Sequence, residues 1–487
     1  MQVVSSELQL KDIEADALFL TLAEGEGLPE KVAELDQVLD GAIDDLFKLK
    51  EFKGKLYETA VLHTLGKTKT PRVILVGTGK KEEYEAPRLV RNVAGTAARR
   101  AVKLGVKRLA TLVNQVEETE AVVEGVILGS FNPALYKTKK EDGQIEGLIL
   151  VGADPKVTKK ANLKAETINW VRSLIAEPAN IMTPRKLVEE AKKIARDYKL
   201  GIEIIDEKEA QKRKMGAFLA IAKGSDEPSY MIVLRYKAPR TTSTTLGVVG
   251  KGITFDTGGI SIKPSQKMHD MKMDMSGAAA MLGVMKLVGE LRPKVNVIGI
   301  APVTENMPSG KATKPGDVVK SASGKTIEIL NTDAEGRVVM SDAFTYVQKL
   351  GANKIFELST LTGATTVALG PEAAALLGKP KNWVEMVKKV AEIAGERLWE
   401  MPIFAEHKEL LKSDIADMAN IPAVRNADII AGAVFLEEFV NKGVDWAHLD
   451  IGATAYLESE KPYLAKGPTG FGVGTASELI NHLEGSG

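Results

Sequence analysis

The sequence predicts an α/β protein of two domains, each a mixed, mostly parallel sheet flanked by helices, with a connector helix between them and the larger domain C-terminal. Three observations carry this. At 487 residues the chain is too long for one ordinary domain. Apolar runs of strand length alternate with longer segments of helical apolar spacing. A helix ended by Glu177-Pro178-Ala179-Asn180 divides two such series.

In order along the chain, Ala17 to Leu22 and Arg72 to Gly77 are continuous apolar runs and read as buried strands. Arg88 to Leu104 has helical spacing, Arg108 to Val113 reads as a strand, a helix follows around Ala121 to Leu128, and Ile145 to Val151 closes the first series. Asp154 to Lys164 is polar and basic, and the connector helix is expected from about Ala165 to Ala176. This gives an N-terminal domain of 1–160 and a C-terminal domain of 161–487. In the second series, strands are expected at Tyr230 to Leu234, Leu246 to Val249, Val295 to Ala301, Thr326 to Leu330 and Ile355 to Leu358, and helices at Ala278 to Gly289 and Val338 to Leu350.

Composition narrows the function classes. Lys plus Arg and Asp plus Glu are both 65, so no whole-protein field draws the chain to nucleic acid or to an anionic membrane. There is no cysteine, which excludes disulfides, thiolate metal sites and a cysteine nucleophile. No signal-like N-terminus and no membrane-spanning apolar run are present, so a cytoplasmic protein is the expectation. The five histidines are scattered and form no H-E-x-x-H pair, and no G-x-S-x-G elbow occurs. His448 reads as a satisfied core residue.

The informative stretch runs from Gly247 to Arg337. An apolar strand enters Gly250-Lys251-Gly252-Ile253-Thr254-Phe255-Asp256-Thr257-Gly258-Gly259. This glycine pattern fails the dinucleotide spacing at Phe255, and Gly324-Lys325-Thr326 lacks the earlier glycine of a phosphate loop. Taken alone, Lys251 and Lys263 read as solvated lysines, and Asp274 as a helix cap. The segment Asn331-Thr332-Asp333-Ala334-Glu335-Gly336-Arg337 shifts the balance. A strand runs into two carboxylates two residues apart, which in extended backbone point the same way. Converging carboxylates repel unless a cation or proton lies between them. Arg337 is one such cation, as a plain ion pair. A divalent metal is another, and oxygen-rich sites suit hard cations, Zn²⁺ included.

These residues resemble the leucyl, or cytosol, aminopeptidases. The resemblance rests on Asn331 to Arg337, with support from Val249 to Pro264, Met271 to Ala279, Ser359 to Ala364 and Gly467 to Gly474. It implies metal-dependent release of N-terminal amino acids, leucine or other apolar residues foremost, from peptides with a free N-terminus. It implies Lys251, Asp256, Asp274, Asp333 and Glu335 as ligands of two divalent ions, Mn²⁺ or Zn²⁺, with Asp256 and Glu335 bridging. Lys251 would be a neutral ligand, and the two ions would share and acidify a water. Lys263 and Arg337 are implied as catalytic cations, the first polarising the scissile carbonyl, the second holding bicarbonate as general base. Met271, Thr360, Gly363, Gly452 and Ala455 are implied in the side-chain pocket, although Met271 alone reads as a core methionine. Two departures bear on that pocket: Glu357 replaces a usual Asp, and Ile451-Gly452-Ala453 reorders the usual Ile-Ala-Gly. A homo-hexamer is implied too, with the first domain governing subunit contacts and access. Some relatives also bind DNA, and Lys137-Thr138-Lys139-Lys140 with the stretch Lys156 to Lys164 would supply the basic clusters. A solvated face is the alternative.

Overall fold

The computed structural model describes residues 1–80, 88–113, 115–138, 143–239, 242–424 and 426–485. The chain forms two compact units, Met1–Asn169 with Glu458–Gly467, and Trp170–Leu457 with Pro468–Gly487.

The first unit carries β1 (Gln2–Ser6), β2 (Ala17–Leu22), β3 (Thr59–His63), β4 (Arg72–Gly77), β5 (Arg108–Leu112) and β6 (Gly147–Val151) in the order β1-β6-β5-β2-β4-β3. All neighbours are parallel except β3 and β4. The helices are α1 (Glu30–Val38), α2 (Ala42–Lys48), α3 (Arg88–Lys103), α4 (Thr119–Gly129) and α5 (Pro155–Ala176). Ala17 and Phe19 join a core with α3, α4 and α5, while Leu18, Leu20 and Leu22 join one with α1 and α2. Both sheet faces are therefore covered, which is why β2 is a continuous apolar run and not an alternating one.

Three sequence expectations change here. The edge strands β1 and β3 are additional, and both are only partly buried. The helix α5 begins ten residues or so before the expected start: Asp154 Oδ1 accepts the N–H groups of Lys156 and Val157, capping a helix with Pro155 in its first turn. The units also divide at 169/170 where the sequence placed a boundary at 160, and the return segment Glu458–Gly467 belongs with the first.

The second unit begins within α5 and continues with α6 (Pro184–Tyr198), β7 (Gly201–Asp206), α7 (Glu207–Lys212), α8 (Gly216–Ala222), β8 (Tyr230–Tyr236), β9 (Thr245–Gly250), β10 (Gly252–Asp256), α9 (Ser276–Leu291), β11 (Asn296–Asn306), β12 (Asp317–Lys320), β13 (Thr326–Ile329), α10 (Glu335–Lys349), β14 (Lys354–Ser359), α11 (Ala364–Leu369), β15 (Ala374–Lys379), α12 (Lys381–Ile393), β16 (Leu398–Glu400), β17 (Met418–Ala419), α13 (Asp428–Glu437), β18 (Asp445–Asp450) and α14 (Val473–Gly485). The main sheet has the order β16-β15-β18-β14-β9-β11-β8-β7, with β10 on β11. Its centre is parallel, and β7, β8 and β15 run antiparallel to their inner neighbours. Val249, Ile300 and Ile355 share one core with Val338, Val347 of α10 and Val434, Phe435 of α13. Gly299 leaves room on another side for Met281 and Met285 of α9.

The strand entering Asn331–Arg337 is not part of this sheet. β13 lies between β12 and β17 in a separate three-stranded sheet. No helix among the described residues is long and apolar enough to cross a membrane.

Candidate metal centre

The site forms where the main sheet and the small sheet meet. Lys251 sits in the break between β9 and β10, its N–H donating to the Leu358 carbonyl at 3.1 Å and its carbonyl accepting from Ala278 N–H at 2.8 Å. Adding a Cβ at Gly277 would place it 2.1 Å from the Leu358 carbonyl oxygen, so only glycine lets the start of α9 reach this strand end. That approach carries Asp274, in the 3-10 turn Met268–Met275, against Lys251. Lys251 Nζ lies 2.7 Å from Asp274 Oδ2 and 2.7 Å from Glu335 Oε1, and donates to the Thr360 carbonyl at 3.1 Å. Thr360 Oγ1 in turn donates to Asp274 Oδ1 at 2.6 Å.

Asp256 ends β10. The turn after it needs Gly258 and Gly259, both at positive φ (88° and 69°), and folds Lys263 back so that its N–H reaches the Thr257 carbonyl at 2.8 Å. Lys263 Nζ is then 2.8 Å from Asp256 Oδ2 and also pairs with Asp333. Thr332 locks the turn, with Oγ1 donating to the Gly258 carbonyl and accepting from Ser261 N–H.

Asp333 and Glu335 converge by a route different from the expected one. Residues 332 and 333 form a turn, and Glu335 opens α10, so extended backbone does not align them. Asp256, Asp333 and Glu335 nonetheless each offer an oxygen within 4.8 Å of the others. Asp256, Asp274 and Glu335 are buried and Asp333 is half-buried. The fold thus brings Lys251, Asp256, Asp274, Asp333, Glu335 and Lys263 side by side.

The electrostatics explain what such a cluster favours. Burial pushes the Asp274, Asp333 and Glu335 carboxyls above their ordinary values, against the pull of Lys251 and Lys263. Burial lowers Lys251, but Asp274, Glu335 and Asp256 outweigh it and hold its ammonium above the usual value, and Lys263 behaves alike. A neutral Lys251 is therefore not what these carboxylates produce by themselves. It requires further positive charge at the site. Among the described residues, Asp274 Oδ2, Asp333 Oδ1 and both Glu335 oxygens accept no aligned hydrogen bond. Three of those four oxygens face lysine nitrogens as ion pairs only. Three carboxylates with free lone pairs, and Asp256 beside them, against two ammoniums, fit a set of hard divalent cations.

Arg337 is buried on α10. Its Nη1 donates to the Asn420 carbonyl at 3.0 Å, while Nε has no hydrogen-bond partner among the described residues. Burial lowers its pKa, opposed by Asp450, Glu335 and Asp428.

The expected pocket residues are spread over three segments. Met271 shares the 3-10 turn with Asp274 and is half-buried. Thr360 is tied to Asp274 as described, and Gly363 is exposed just before α11. Gly452 packs against Thr362 and Thr365, and Ala455 is buried, its N–H donating to the Ile451 carbonyl at 2.8 Å.

Sequence reasoning passed over two asparagines. Asn306, the last residue of β11 and the register partner of Asp256, is buried among the site residues. Asn420 accepts from Leu330 N–H at 2.8 Å and donates to the Asn331 carbonyl at 2.7 Å, holding the exit from β13. Their signal is faint, a single Asn at a strand end. His448 is a buried core residue, paired with Glu357 on the neighbouring strand. Glu357 thus serves the sheet interior. Lys325, in the phosphate-loop-like Gly324-Lys325-Thr326, donates to Glu438 and is neutralised there. Of the basic clusters, Lys164 is buried in ion pairs with Glu120 and Glu124 and is blocked from phosphates. Lys137, Lys156, Lys159 and Lys160 are exposed, and Lys139 and Lys140 lie outside the described residues.

Comparison with known proteins agrees over the whole chain. The family model for the cytosol aminopeptidase catalytic domain matches residues 169–477, and that for the N-terminal domain of the same family matches 17–140. The chain is 40% identical to a probable cytosol aminopeptidase of Alkaliphilus oremlandii, over 99% of this chain and 100% of that one. It is 40% identical to another from Solibacter usitatus, over 98% and 99%. Among solved structures, a tomato leucine aminopeptidase mutant is similar with a TM-score of 0.89 at 33% identity, covering 99% of this chain and 96% of that one. The bottromycin maturation enzyme BotP in complex with Mn is similar with a TM-score of 0.85 at 29% identity, covering 96% and 100%.

Proposed function

This chain belongs to the cytosol aminopeptidase family and is an aminopeptidase, a hydrolase of peptides; from that premise we propose that it releases N-terminal residues, leucine and other apolar ones foremost, at a two-metal centre. The observation that carries the reading is the convergence of Asp256, Asp274, Asp333 and Glu335 on Lys251 and Lys263. In this reading Asp256 and Glu335 would serve both of two divalent cations, Mn²⁺ or Zn²⁺, and Lys251, Asp274 and Asp333 would complete the set that holds them. When bound, the cations supply an acidified water and charge for the developing oxyanion, and bicarbonate on Arg337 supplies a general base.

The chain's own residues do the rest. Lys263, kept protonated by Asp256 and Asp333, donates to the scissile carbonyl oxygen and stabilises it as negative charge grows there. Arg337 offers its unused Nε to a small anion, in a buried setting where such a hydrogen bond is strong. Met271, Thr360, Gly363, Gly452 and Ala455 surround the side chain of the first residue. Met271 supplies an adaptable apolar wall. The proposal extends to a cytoplasmic homo-hexamer in which the N-terminal domain governs subunit contacts and access.

The test compares a leucine-led peptide with its N-acetylated form, by chromatography of the products. Release of free leucine from the first and none from the second is expected. Equal cleavage of both would refute an exopeptidase.

A further inference from the structure

One buried carboxylate clasps the two loops that carry most of the proposed pocket. β14 and β18 pair in parallel with Ser359 opposite Asp450, so the loops leaving their carboxyl ends start side by side. Asp450 is fully buried. Its Oδ1 accepts the N–H groups of Leu361 at 3.1 Å, Thr362 at 3.3 Å and Gly452 at 3.2 Å, and its Oδ2 accepts the Thr362 hydroxyl at 2.7 Å. Two further bonds stiffen the pair: Ile451 N–H donates to the Ser359 carbonyl at 2.8 Å, and Thr365 Oγ1 to the Thr362 carbonyl at 2.8 Å. A buried carboxyl group needs these donors, so the loops cannot part without leaving its oxygens unsatisfied.

Gly452 sets how close the loops come. A methyl group there would stand 2.7 Å from the Thr362 carbonyl oxygen and 2.9 Å from Thr365 Oγ1. The first of these is backbone, so the added carbon is accommodated only by moving one loop away from the other. The reordered Ile451-Gly452-Ala453 therefore has a physical consequence, a tighter approach of the two loops. Thr360 and Gly363 lie on one loop, Gly452 and Ala455 on the other.

We propose that Asp450 and Gly452 are positioning residues that set the width of the side-chain pocket, and with it the preferred N-terminal residue. The proposal rests on the aminopeptidase reading and on the pocket assigned there. Asp450 acts through Leu361, Thr362 and Gly452, and none of these is a proposed metal ligand. A change in the clasp is thus expected in selectivity, not in cation binding.

The experiment uses the full chain loaded with Mn²⁺. Three quantities are read for each variant: binding of free L-leucine and L-phenylalanine by calorimetry, kcat and KM on the matching p-nitroanilides, and Mn²⁺ affinity. Gly452→Ala widens the pocket and shifts the leucine-to-phenylalanine ratio toward phenylalanine by roughly tenfold, mostly in KM. Asp450→Ala releases both loops and erases the preference. Asp450→Asn keeps Oδ1 for the three N–H groups while the Thr362 hydroxyl turns to accept, so selectivity stays near that of the parent. Mn²⁺ affinity is unchanged throughout. Unchanged selectivity in Gly452→Ala overturns the proposal, as does a loss of Mn²⁺ affinity that parallels the loss of selectivity. Gly452→Ala decides the matter if Asp450→Ala does not fold. A parent protein that neither binds the amino acids nor cleaves the anilides refutes the aminopeptidase reading, and the clasp's role with it. A selective parent with unaltered variants refutes the clasp alone.

Discussion

The side-chain amide of Asn306 donates to Asp256 Oδ1 at 2.8 Å, and its second hydrogen goes to the Thr332 carbonyl at 3.0 Å. Both partners are acceptors, so the amide has only one workable orientation. One asparagine thereby ties the end of β10 to the turn before Asp333. Asn306→Ala is expected to lower Mn²⁺ affinity by about 10–100-fold, the usual cost of losing an outer partner of a ligand. Asn306→Asp sets a second carboxylate against Asp256 and lowers it further. Calorimetry on chelated protein measures both, and unchanged affinity would leave Asn306 a purely structural link.

Gly336 has Lys251 directly over it. A Cβ at 336 would lie 2.6 Å from Lys251 Cε and 2.8 Å from Nζ. These atoms are the far end of a flexible chain, so the fold survives Gly336→Ala while the ammonium is pushed away from Asp274 and Glu335. Activity should fall by about 100-fold or more, at the upper end of what disturbing a ligand's surroundings costs. The melting temperature should move little. Normal kcat/KM in this variant would mean that the place of Lys251 is unimportant.

Glu335 is buried, with Oε1 on Lys251 and Oε2 accepting no hydrogen bond from the described residues. Glu335→Gln keeps the shape and removes the charge proposed to bridge two cations. Loss of more than about 100-fold in kcat is expected, together with weakened uptake of the second Mn²⁺ equivalent. Full activity in Glu335→Gln would rule out a bridging role.

Cation dependence follows from the same cluster. Thorough chelation should abolish hydrolysis of leucine p-nitroanilide, and Mn²⁺, Zn²⁺, Co²⁺ or Mg²⁺ added back singly should restore it to different degrees. Cation binding should also raise the melting temperature, because the folded state alone presents the site. Activity that survives chelation would refute the two-metal mechanism.

Asp342 offers a pH signature away from the site. Burial pushes its carboxyl from 3.8 up to about 7, although Ala322, Phe218 and Ala217 donate backbone N–H groups to it. Between those values the unfolded chain has lost the proton and the folded chain keeps it. Stability therefore falls as pH rises from about 4 to about 7, by up to about 4 kcal/mol, and is flat above. Asp342→Asn cannot titrate and turns an N–H toward a backbone donor, at a cost of about 1–3 kcal/mol. Urea unfolding should show the variant below the parent at about pH 4, the two nearly level at about pH 5, and the variant above the parent by about pH 7.5. A constant gap would place the Asp342 pKa outside this window.

Much of the site is legible in the amino-acid sequence alone. Asp333 and Glu335 stand out because two carboxylates after an apolar strand need a counter-charge. Their partners Lys251, Asp256 and Asp274 lack such a local signal and emerge only through family motifs. Other features are hidden for physical reasons. Apolar spacing in β13 marks a strand but not its partners, so its place in a separate sheet is not readable. The early start of α5 is signalled by Asp154-Pro155, but the lysines after it read as a solvated linker. Lys164 in that stretch is buried only because α4 presents Glu120 and Glu124 to it. Asn306, Asn420 and Asp450 act through bonds to segments distant in sequence, which no local pattern encodes.

The bonds that finish the site span long stretches of chain. Lys251 reaches the Thr360 carbonyl across 109 residues, Thr362 reaches Asp450 across 88, and Arg337 reaches Asn420 across 83. Closing loops of this size comes before any contact rewards it, which makes assembly slow. Synthesis proceeds from the N-terminus. Every proposed ligand, from Lys251 to Glu335, is made before Thr360, Asn420 and Asp450. A growing chain thus carries the acidic groups well ahead of the geometry that organises them.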